Sequence, residues 1–161
     1  MTRAFVALGG NLGDTRTILQ QALDALGMLP GTRLVAQSRF YRTPPWGLHE
    51  QPAFLNAAAE LDTVLGPHEL LDALLRIERD AGRVRDGERW GPRTLDLDLL
   101  HMDGLALHDD RLTLPHPRIA ERAFVLLPLA ELAPDLELSG QGTVSDLLAN
   151  ADIAGCEPLP Q

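Results

Sequence analysis

The chain has 161 residues, 45% of them hydrophobic, which is typical of one ordered globular domain with a substantial core. Its formal net charge of −9 argues against general binding to nucleic acid. All 14 basic residues are arginine, so a Walker-type phosphate-loop lysine and a Schiff-base lysine are both excluded.

Cysteine content and hydropathy predict where the protein works and how it is organised. Cys156 is the single cysteine, which excludes an internal disulfide framework and a cysteine-based metal site. No apolar stretch approaches the length of a membrane span, and the first residues do not have a signal-peptide pattern. We therefore expect a cytoplasmic protein without a membrane partner, formed by one domain over residues 1–161 with a loose tail from residue 157. A monomer is expected because no helix carries a sustained heptad pattern.

Hydrophobic periodicity and turn residues predict the elements in chain order. Strands are expected at residues 4–8, 34–41, 54–63 and 95–100, and helices from Asp14 or Thr15 to Gly27, from Pro67 to just before Gly82, and over residues 143–148. A hairpin turn at residues 102–104 is expected to lead into a strand at 105–107. Because these elements mix without strict β-α-β alternation, their order favours an α+β fold with antiparallel strand pairs and helices on the sheet faces.

Residues 89–100 carry the strongest functional signal. Leucines at positions 95, 97 and 99 alternate with Asp96 and Asp98, which is the period-two pattern of a half-buried strand. Both carboxylates therefore emerge on the face opposite the leucines, where they repel each other unless a cation lies between them. Oxygen ligands of this kind suit a hard divalent ion, and Mg²⁺ fits best.

A cluster of arginines stands just upstream of this pair, on a segment that also contains three glycines and a proline. Such a segment can close over an anion, and guanidinium groups match the geometry of phosphate oxygens. Carboxylates for a metal beside arginines for a polyphosphate suggest phosphoryl transfer from a Mg²⁺-nucleotide. A plainer interpretation stays open, in which the acidic pair is a solvated strand face and the arginines are ordinary surface.

Three further sites are weaker candidates. Phe54 and Asn56 share one face of their strand, where they offer an aromatic ring beside an amide. His116 and Arg122 are close enough along the chain to converge on one ligand through a turn, although a lone histidine is more often structural. Glu78 lies on the flank of its helix, where by default we expect a plain exposed acid.

These motifs resemble, position for position, the signature of the 6-hydroxymethyl-7,8-dihydropterin pyrophosphokinase family of folate biosynthesis. Its pattern, basic-x-Gly-Pro-Arg-x-x-Asp-apolar-Asp-apolar-apolar, is matched throughout by residues 89–100, with further matches at 10–13, 40–45, 51–58, 82–85, 112–116 and 122–124. The resemblance runs from residue 5 to about 135. It implies a ferredoxin-like three-layer α/β/α sandwich with a mainly antiparallel sheet. The implied reaction transfers pyrophosphate from ATP to the hydroxymethyl group of a reduced pterin and releases AMP.

The resemblance also implies roles for individual residues. Asp96 and Asp98 resemble the ligands of two Mg²⁺ ions that bridge the ATP phosphates, Phe54 and Phe124 resemble the rings that sandwich the pterin, and Asn56 resembles the amide that reads its edge. The implied catalytic set is Arg83, Arg93, Asp96 and Asp98. The implied ATP-binding set is Glu78, Arg83, Arg85, Trp90, Arg93, Leu99, Arg111, Thr113, His116 and Arg122. The implied pterin-binding set is Thr43, Pro44, Trp46, Phe54, Asn56, Trp90, Asp96 and Phe124.

The chain departs from the family pattern at three positions. Phe54 stands where the family often has tyrosine, Leu75 where a glutamine can contact the nucleotide, and Pro117 where some members have tyrosine. These departures put details of ATP affinity in doubt. Two other functions stay open: a metal-dependent nuclease or nucleotidyl transferase that uses the aspartate pair, and a non-catalytic ferredoxin-like binding module.

Overall fold

A computed structural model describes residues 1–44, 52–82, 94–138 and 140–160. The helices are α1 (Thr15–Gly27), α2 (Pro67–Asp80), α3 (Ala123–Leu132) and α4 (Val144–Ala149), with a 3₁₀ turn at Ile119–Glu121. The strands are β1 (Thr2–Gly10), β2 (Thr32–Gln37), β3 (Tyr41–Thr43), β4 (Phe54–Thr63), β5 (Asp96–Met102), β6 (Leu107–His108), β7 (Thr113–Leu114), β8 (Glu137–Leu138), β9 (Gly142–Thr143) and β10 (Glu157–Pro158).

The main sheet is built around β1, which pairs antiparallel with β4 on one side and β5 on the other. The far edge of β4 pairs antiparallel with β2 along one part and with β3 along another, and β10 pairs with β3. One face of this sheet packs against α1 and α2, and the other packs against α3 and α4. The predicted three-layer α/β/α sandwich with a mainly antiparallel sheet is confirmed.

Local signals correctly located most of the regular elements. Asp14 caps α1, because its carboxylate accepts hydrogen bonds from the Thr17 amide at 3.4 Å and from the Thr17 hydroxyl at 2.9 Å. Pro67 opens α2 in its first turn, and Gly82 follows the helix with a φ of 87° that favours glycine. The strand predicted at residues 54–63 has the bounds of β4, and Thr143 caps α4 as expected.

The strand predicted at residues 34–41 is wrong in extent, because the chain forms two strands there. Ser38 separates β2 from β3. Its amide donates to the Ala58 carbonyl at 2.9 Å, while its hydroxyl oxygen accepts from the Ala58 amide at 2.9 Å. This side-chain bond replaces one rung of the backbone ladder, so the register changes and β3 starts afresh at Tyr41.

Two other expectations are corrected by strand pairing. The hairpin expected after residue 102 is wrong, because β6 pairs with β7 and not with β5. The prediction of a loose tail from residue 157 is also wrong for its first two residues, because Glu157 and Pro158 form β10, which pairs with β3. Residues 125–132, which sequence patterns left without an assignment, form most of α3 despite Pro128 within it. Each of these outcomes depends on contacts distant in sequence, which local patterns do not encode.

Candidate active site

The site begins at the end of β1, where a row of three residues crosses the sheet. Gly9 lies opposite Asn56 on β4 and opposite Asp96 on β5. Directly opposed residues of antiparallel strands point to the same face, so the amide and the carboxylate flank a position that has no side chain. A Cβ added at Gly9 would lie 2.5 Å from Asn56 Oδ1. The glycine therefore allows the amide to lie over the strand.

Asp96 and Asp98 occupy the face predicted for them. The leucines at positions 95, 97 and 99 are buried in the core with α1 and α2, whereas both aspartates are partly exposed. The Asp98 side chain is 44% exposed, and its Oδ2 lies 3.8 Å from Nη1 of Arg122. Two carboxylates on one strand face, with solvent access and a guanidinium nearby, form an oxygen-only donor set.

Asn56 is held in place by the neighbouring strand. Its side chain is buried, and Nδ2 donates to Thr43 Oγ1 at 2.6 Å. Thr43 ends β3 directly opposite Phe54, which is half-buried on the same strand as Asn56. The structure thus brings together Thr43, Phe54 and Asn56, three members of the predicted pterin set, at one end of the sheet.

Arg122 and Phe124 approach from the start of α3. The Arg122 guanidinium carbon lies 5.9 Å from the centre of the Phe124 ring, a cation–π contact that orients both groups. The same guanidinium makes the contact with Asp98 described above. One arginine therefore links the acidic pair on β5 to an aromatic ring on α3.

His116 lies beside β5 and is influenced by the charges of Asp98, Arg118 and Arg122. Its amide donates to the Leu100 carbonyl at 2.9 Å, which holds it beside the end of β5, and its Nδ1 accepts from the Arg118 amide at 3.2 Å. Burial lowers the pKa of His116 below its usual value, Asp98 opposes that shift, and Arg122 and Arg118 add to it. The imidazole is therefore neutral near pH 7, and the bond to Nδ1 places its proton on Nε2.

An open cleft of about 460 Å³ lies between α2 and the outer edge of β5. Its volume falls within the range usual for small-molecule sites. Asp98 and four members of the predicted ATP-binding set line it: Leu99, Arg111, Thr113 and His116. Leu75 and Pro117, two of the departures from the family pattern, line it as well. The structure thus gathers one group of predicted residues around a single cleft.

Arg111 is placed at the rim of this cleft by two aspartates. Its guanidinium donates to the carboxylate of Asp72 on α2, and its amide donates to Asp109 Oδ1 at 2.9 Å. Hydrogen bonding from Arg111 lowers the pKa of the Asp72 carboxyl. Asp109 also pairs with His68 on α2 at 2.8 Å. The segment that carries Arg111 is thus tied to the helix on the other side of the cleft.

The default expectation that Glu78 is an exposed acid is wrong. Glu78 is only 2% exposed, and its Oε2 accepts a hydrogen bond from the Leu97 amide at 2.7 Å. A helix side chain thus bonds to the backbone of β5 between the two aspartates. Periodicity placed Glu78 beside the core stripe, but its strand partner could be identified only in the folded chain. Its predicted contact with the nucleotide stays a prediction.

Several predicted residues lie outside the described part of the chain. These are Trp46, Arg83, Arg85, Trp90 and Arg93, and their assigned roles stay predictions. Pro44 is described and is exposed at the end of β3. Within the described ranges, no group of three or more His, Cys, Asp or Glu side chains could hold a metal ion. A metal there would depend on the aspartate pair together with ligand oxygens.

Two contributors to the site were missed by sequence reasoning. Gly9 lies just beyond the strand predicted at residues 4–8, and a glycine at the end of a strand can indicate close approach of another group. Asn11 is buried, and its Nδ2 donates to the Pro52 carbonyl at 2.9 Å, which fixes the turn after β1 against the approach to β4. No local sequence signal identified that second contact.

A helix of the kind that crosses a lipid bilayer, long and apolar throughout, does not occur within the described ranges.

Comparison with known proteins gives a consistent result. A family model described as 7,8-dihydro-6-hydroxymethylpterin-pyrophosphokinase matches residues 5–134. A protein of Methylorubrum extorquens named 2-amino-4-hydroxy-6-hydroxymethyldihydropteridine pyrophosphokinase is 52% identical over 157 residues, covering 98% of this chain and 98% of its own. A protein of the same name from Pseudomonas aeruginosa is 52% identical over 158 residues, covering 98% of this chain and 97% of its own.

Solved structures support the fold. The wild-type Plasmodium falciparum HPPK-DHPS with pteroate aligns with a TM-score of 0.72 and 14% identity over 92% of this chain and 42% of that one. The same protein with SDX-DHP aligns with a TM-score of 0.69 and 13% identity over 93% of this chain and 43% of that one. This chain therefore spans less than half the length of those proteins, and at such low identity the likeness concerns the fold.

Proposed function

The chain belongs to the 7,8-dihydro-6-hydroxymethylpterin-pyrophosphokinase family, and from that premise we propose that it transfers pyrophosphate from ATP to the hydroxymethyl group of 6-hydroxymethyl-7,8-dihydropterin. The products are AMP and the pterin diphosphate, in a step of tetrahydrofolate biosynthesis. The near-complete match in length to relatives that carry this enzyme name supports the proposal.

One observation in the structure supports this reaction above others: the row in which Asn56, Gly9 and Asp96 lie side by side across three strands. An amide suited to reading a heterocycle lies one strand from a carboxylate suited to a metal. The cleft at the edge of β5 adjoins the same acidic pair through Asp98. A pterin at the Asn56 side and ATP at the Asp98 side would therefore meet over β1.

The proposed pterin site consists of flat rings and buried polar groups. Phe54 on β4 and Phe124 at the start of α3 would provide the two rings, and the Asn56 amide would bond the polar edge of the pterin. Thr43 holds that amide in place and Pro44 would line the pocket, with Trp46 and Trp90 as further predicted contacts. A flat bicyclic substrate gains most from stacking partners together with a few preorganised polar groups.

The proposed ATP site uses guanidinium, imidazole and backbone groups. Arg122 and the neutral Nε2–H of His116 would donate to phosphate oxygens near Asp98. Arg111, Thr113 and Leu99 would contact the nucleotide from the walls of the cleft, and Glu78 would hold β5 in place through the Leu97 amide. Arg83, Arg85 and Arg93 are proposed as further phosphate contacts from sequence alone.

Asp96 and Asp98 fit two Mg²⁺ ions as ligands. Mg²⁺ prefers oxygen donors and is usually held by one or two carboxylates together with substrate phosphates and water. The pair supplies two such carboxylates on one solvent-accessible face. When bound, the ions would neutralise charge on the ATP phosphates and favour loss of the hydroxyl proton.

The protein's own contribution to the chemistry would be alignment. Among the groups described around β5, Asp96 and Asp98 are assigned to metal binding, and the neutral His116 imidazole donates from Nε2. We therefore assign no strong general base. Asn56, Phe54 and Phe124 would hold the hydroxymethyl group toward the β-phosphorus, and Arg122 and His116 would hold the phosphates in line with it. AMP would then be the leaving group.

A product assay with ATP, Mg²⁺ and 6-hydroxymethyl-7,8-dihydropterin tests this proposal. AMP and the pterin diphosphate should form in equal amounts, without ADP and with no turnover when Mg²⁺ is omitted. Stoichiometric ADP would indicate a simple kinase instead. AMP released without pterin would favour the nuclease or nucleotidyl transferase alternative, and binding without turnover would favour a non-catalytic module.

We further propose that residues 1–161 form one domain that acts as a monomer in the cytoplasm. The absence of a heptad pattern in the sequence supports the monomer, and the nature of the small-molecule substrates supports the location. Neither nucleic acid nor membrane is a proposed partner. Light scattering at working concentration would test the monomer, and fractionation of cells that express the protein would test the location.

A further inference from the structure

We infer that residues 155–160, which we call the strap, hold the pterin site in position by pairing with the edge of β3 that faces away from β4. The inference rests on the proposed assignment of Thr43, Pro44 and Asn56 to that site. β3 has only three residues, and its last residue, Thr43, accepts the hydrogen bond that orients the Asn56 amide. Any displacement of β3 would therefore be transmitted to the group that reads the pterin.

The strap covers the edge of β3 that faces away from β4. Glu157 pairs with Arg42 and Pro158 pairs with Tyr41, and the Leu159 amide donates to the Phe40 carbonyl at 2.8 Å. Short edge strands are the parts of a sheet that open most readily, because half of their backbone groups lack strand partners. With the strap in place, β3 lies between two strands instead of at an edge.

Side chains from two other parts of the chain hold the strap itself. Arg39 donates through Nη2 to the Leu159 carbonyl at 3.2 Å, and Arg16 on α1 donates through Nη2 to the Pro160 carbonyl at 3.0 Å. Leu159 also packs against the core cluster under α1 and α2. The strap is therefore anchored to α1 and to the core cluster, and not only to the strand that it covers.

A direct contact joins the strap to the proposed pocket. Gly155 has a φ of 81°, and a Cβ built on it would lie 2.8 Å from Cγ of Pro44. Pro44 follows Thr43 and precedes the segment that carries Trp46. The close approach of Gly155 thus limits where the chain can leave β3, and a methyl group at this position would displace Pro44.

Between these two edges, β3 and the residues just before it are also fixed by side-chain contacts with α3. The Tyr41 hydroxyl donates to Glu131 Oε1 at 2.8 Å, and the Arg39 amide donates to both oxygens of that carboxylate at 3.1 and 3.2 Å. β3 is thus held by β4, by α3 and by the strap. β4 carries pocket residues itself, and of the other two elements it is the strap that approaches Pro44, through Gly155.

The test compares Gly155→Ala with Gly140→Ala as the matched control. Gly140 has a φ of 78°, so alanine there causes similar backbone strain, but its Cβ would meet nothing within 4 Å. We expect Gly155→Ala to raise the KM for pterin by about 3- to 10-fold, as for loss of one hydrogen bond, with the KM for ATP unchanged. Gly140→Ala should lower the melting temperature to a similar extent and leave both KM values unchanged.

Two further variants make the outcome decisive. Leu159→Ser loosens the strap without adding a Cβ near Pro44, and the same selective rise in the pterin KM is expected from it. Asn56→Ala tests the pocket assignment directly, with pterin affinity measured by calorimetry beside a non-hydrolysable ATP analogue. If Asn56→Ala weakens pterin binding while the strap variants change only the melting temperature, the strap inference is overturned and the pocket assignment stands. If Asn56→Ala has no effect, the pocket assignment fails and the strap inference fails with it.

Discussion

The two faces of the sheet perform different tasks, and β1 shows the difference within one strand. Ala4, Val6 and Leu8 point toward α1 and α2 and are buried in one large apolar cluster. On the other face, Phe5 and Ala7 pack against the layer of α3 and α4, but the next position is Gly9, flanked by an amide and a carboxylate. Along β1, strand alternation therefore places the large apolar cluster on one face and, at Gly9, the proposed site on the other.

This separation predicts that substitutions on the two faces have different consequences. On the apolar face, away from the leucines of β5 that line the cleft, they should change the free energy of unfolding and leave the catalytic parameters of the folded enzyme nearly intact. At Gly9, Asp96 and Asp98 on the other face they should change turnover or substrate affinity with little change in stability. The following predictions test that distinction, beginning with the largest effect.

Asp98→Ala should reduce kcat by about 10³-fold or more, because a lost metal ligand removes several kcal/mol of transition-state stabilisation. The free energy of unfolding should change by less than about 0.5 kcal/mol, since this partly exposed side chain leaves no core cavity. Asp96→Ala should behave alike. Steady-state assays and urea denaturation measure the two quantities.

Asp62→Ala is the control for this pair, because Asp62 is a carboxylate of β4 that pairs with Arg33 away from the site. Its kcat should equal that of the unmodified chain. Near-normal turnover of the Asp96 and Asp98 variants at saturating Mg²⁺ would remove the aspartate pair from the proposed mechanism.

Leu61→Ala should lower the free energy of unfolding by about 2–5 kcal/mol, because it opens a cavity in the apolar cluster. Leu61 on β4 is fully buried there. The kcat of this variant below the melting transition should remain within about twofold of that of the unmodified chain, since Leu61 does not line the proposed ATP cleft and is not a proposed substrate contact. The measurements are urea denaturation and initial rates at low temperature.

Val35→Ala is the matched control, because this apolar side chain on β2 is exposed and lies outside the apolar cluster. It should cost less than about 0.5 kcal/mol. A large loss of kcat in Leu61→Ala at full folding would contradict the separation of the two faces.

Gly9→Ala should raise the KM for pterin by about tenfold, with a small change in stability. The new Cβ would force Oδ1 of Asn56 away, because the two atoms cannot remain 2.5 Å apart, and the amide would lose its hydrogen bond to Thr43. The KM for ATP should change less. Gly27→Ala is the control, since its Cβ would make an ordinary contact at 3.4 Å with Leu34 on the apolar side. Equal KM values for Gly9→Ala and Gly27→Ala would contradict the prediction.

The smallest effect concerns Tyr41, where β3 meets α3 at the border of the face that carries the proposed site. Burial, followed by the hydrogen bond to Glu131 and the charge of that carboxylate, raises the pKa of Tyr41 to about 12, against the opposing charge of Arg39. The folded chain therefore favours the neutral phenol. This contribution to stability is fully present below the unfolded pKa of 10.0 and is lost as the pH rises through about 12.

Because the chain has a single tyrosine, ultraviolet absorbance of tyrosinate reports this residue directly. The native protein should titrate near pH 12, and the urea-unfolded protein near pH 10, close to the reference value. Glu131→Gln should lower the native value toward the reference. A native midpoint equal to the unfolded one would contradict both the burial of the phenol and its bond to Glu131.

Sequence patterns located the parts of the fold and of the candidate site that depend on near neighbours. The alternation of β4 was predicted with its bounds, and the alternation of leucine with Asp96 and Asp98 assigned both carboxylates to the correct face of β5. Asp14 and Pro67 marked the start of α1 and α2. These signals are local because a strand alternates within its own residues and a helix cap bonds within one turn.

Tertiary structure alone decided the features that join distant segments. The bond from Ser38 to Ala58 splits β2 from β3, the burial of Glu78 depends on the Leu97 amide, and the pairing of β10 with β3 joins segments more than a hundred residues apart. The neighbours of Gly9 belong to two different strands. A residue type constrains its own conformation, but its partners are chosen by the packing of the whole sheet, since pairing energies depend on the neighbours across strands more than on intrinsic preference.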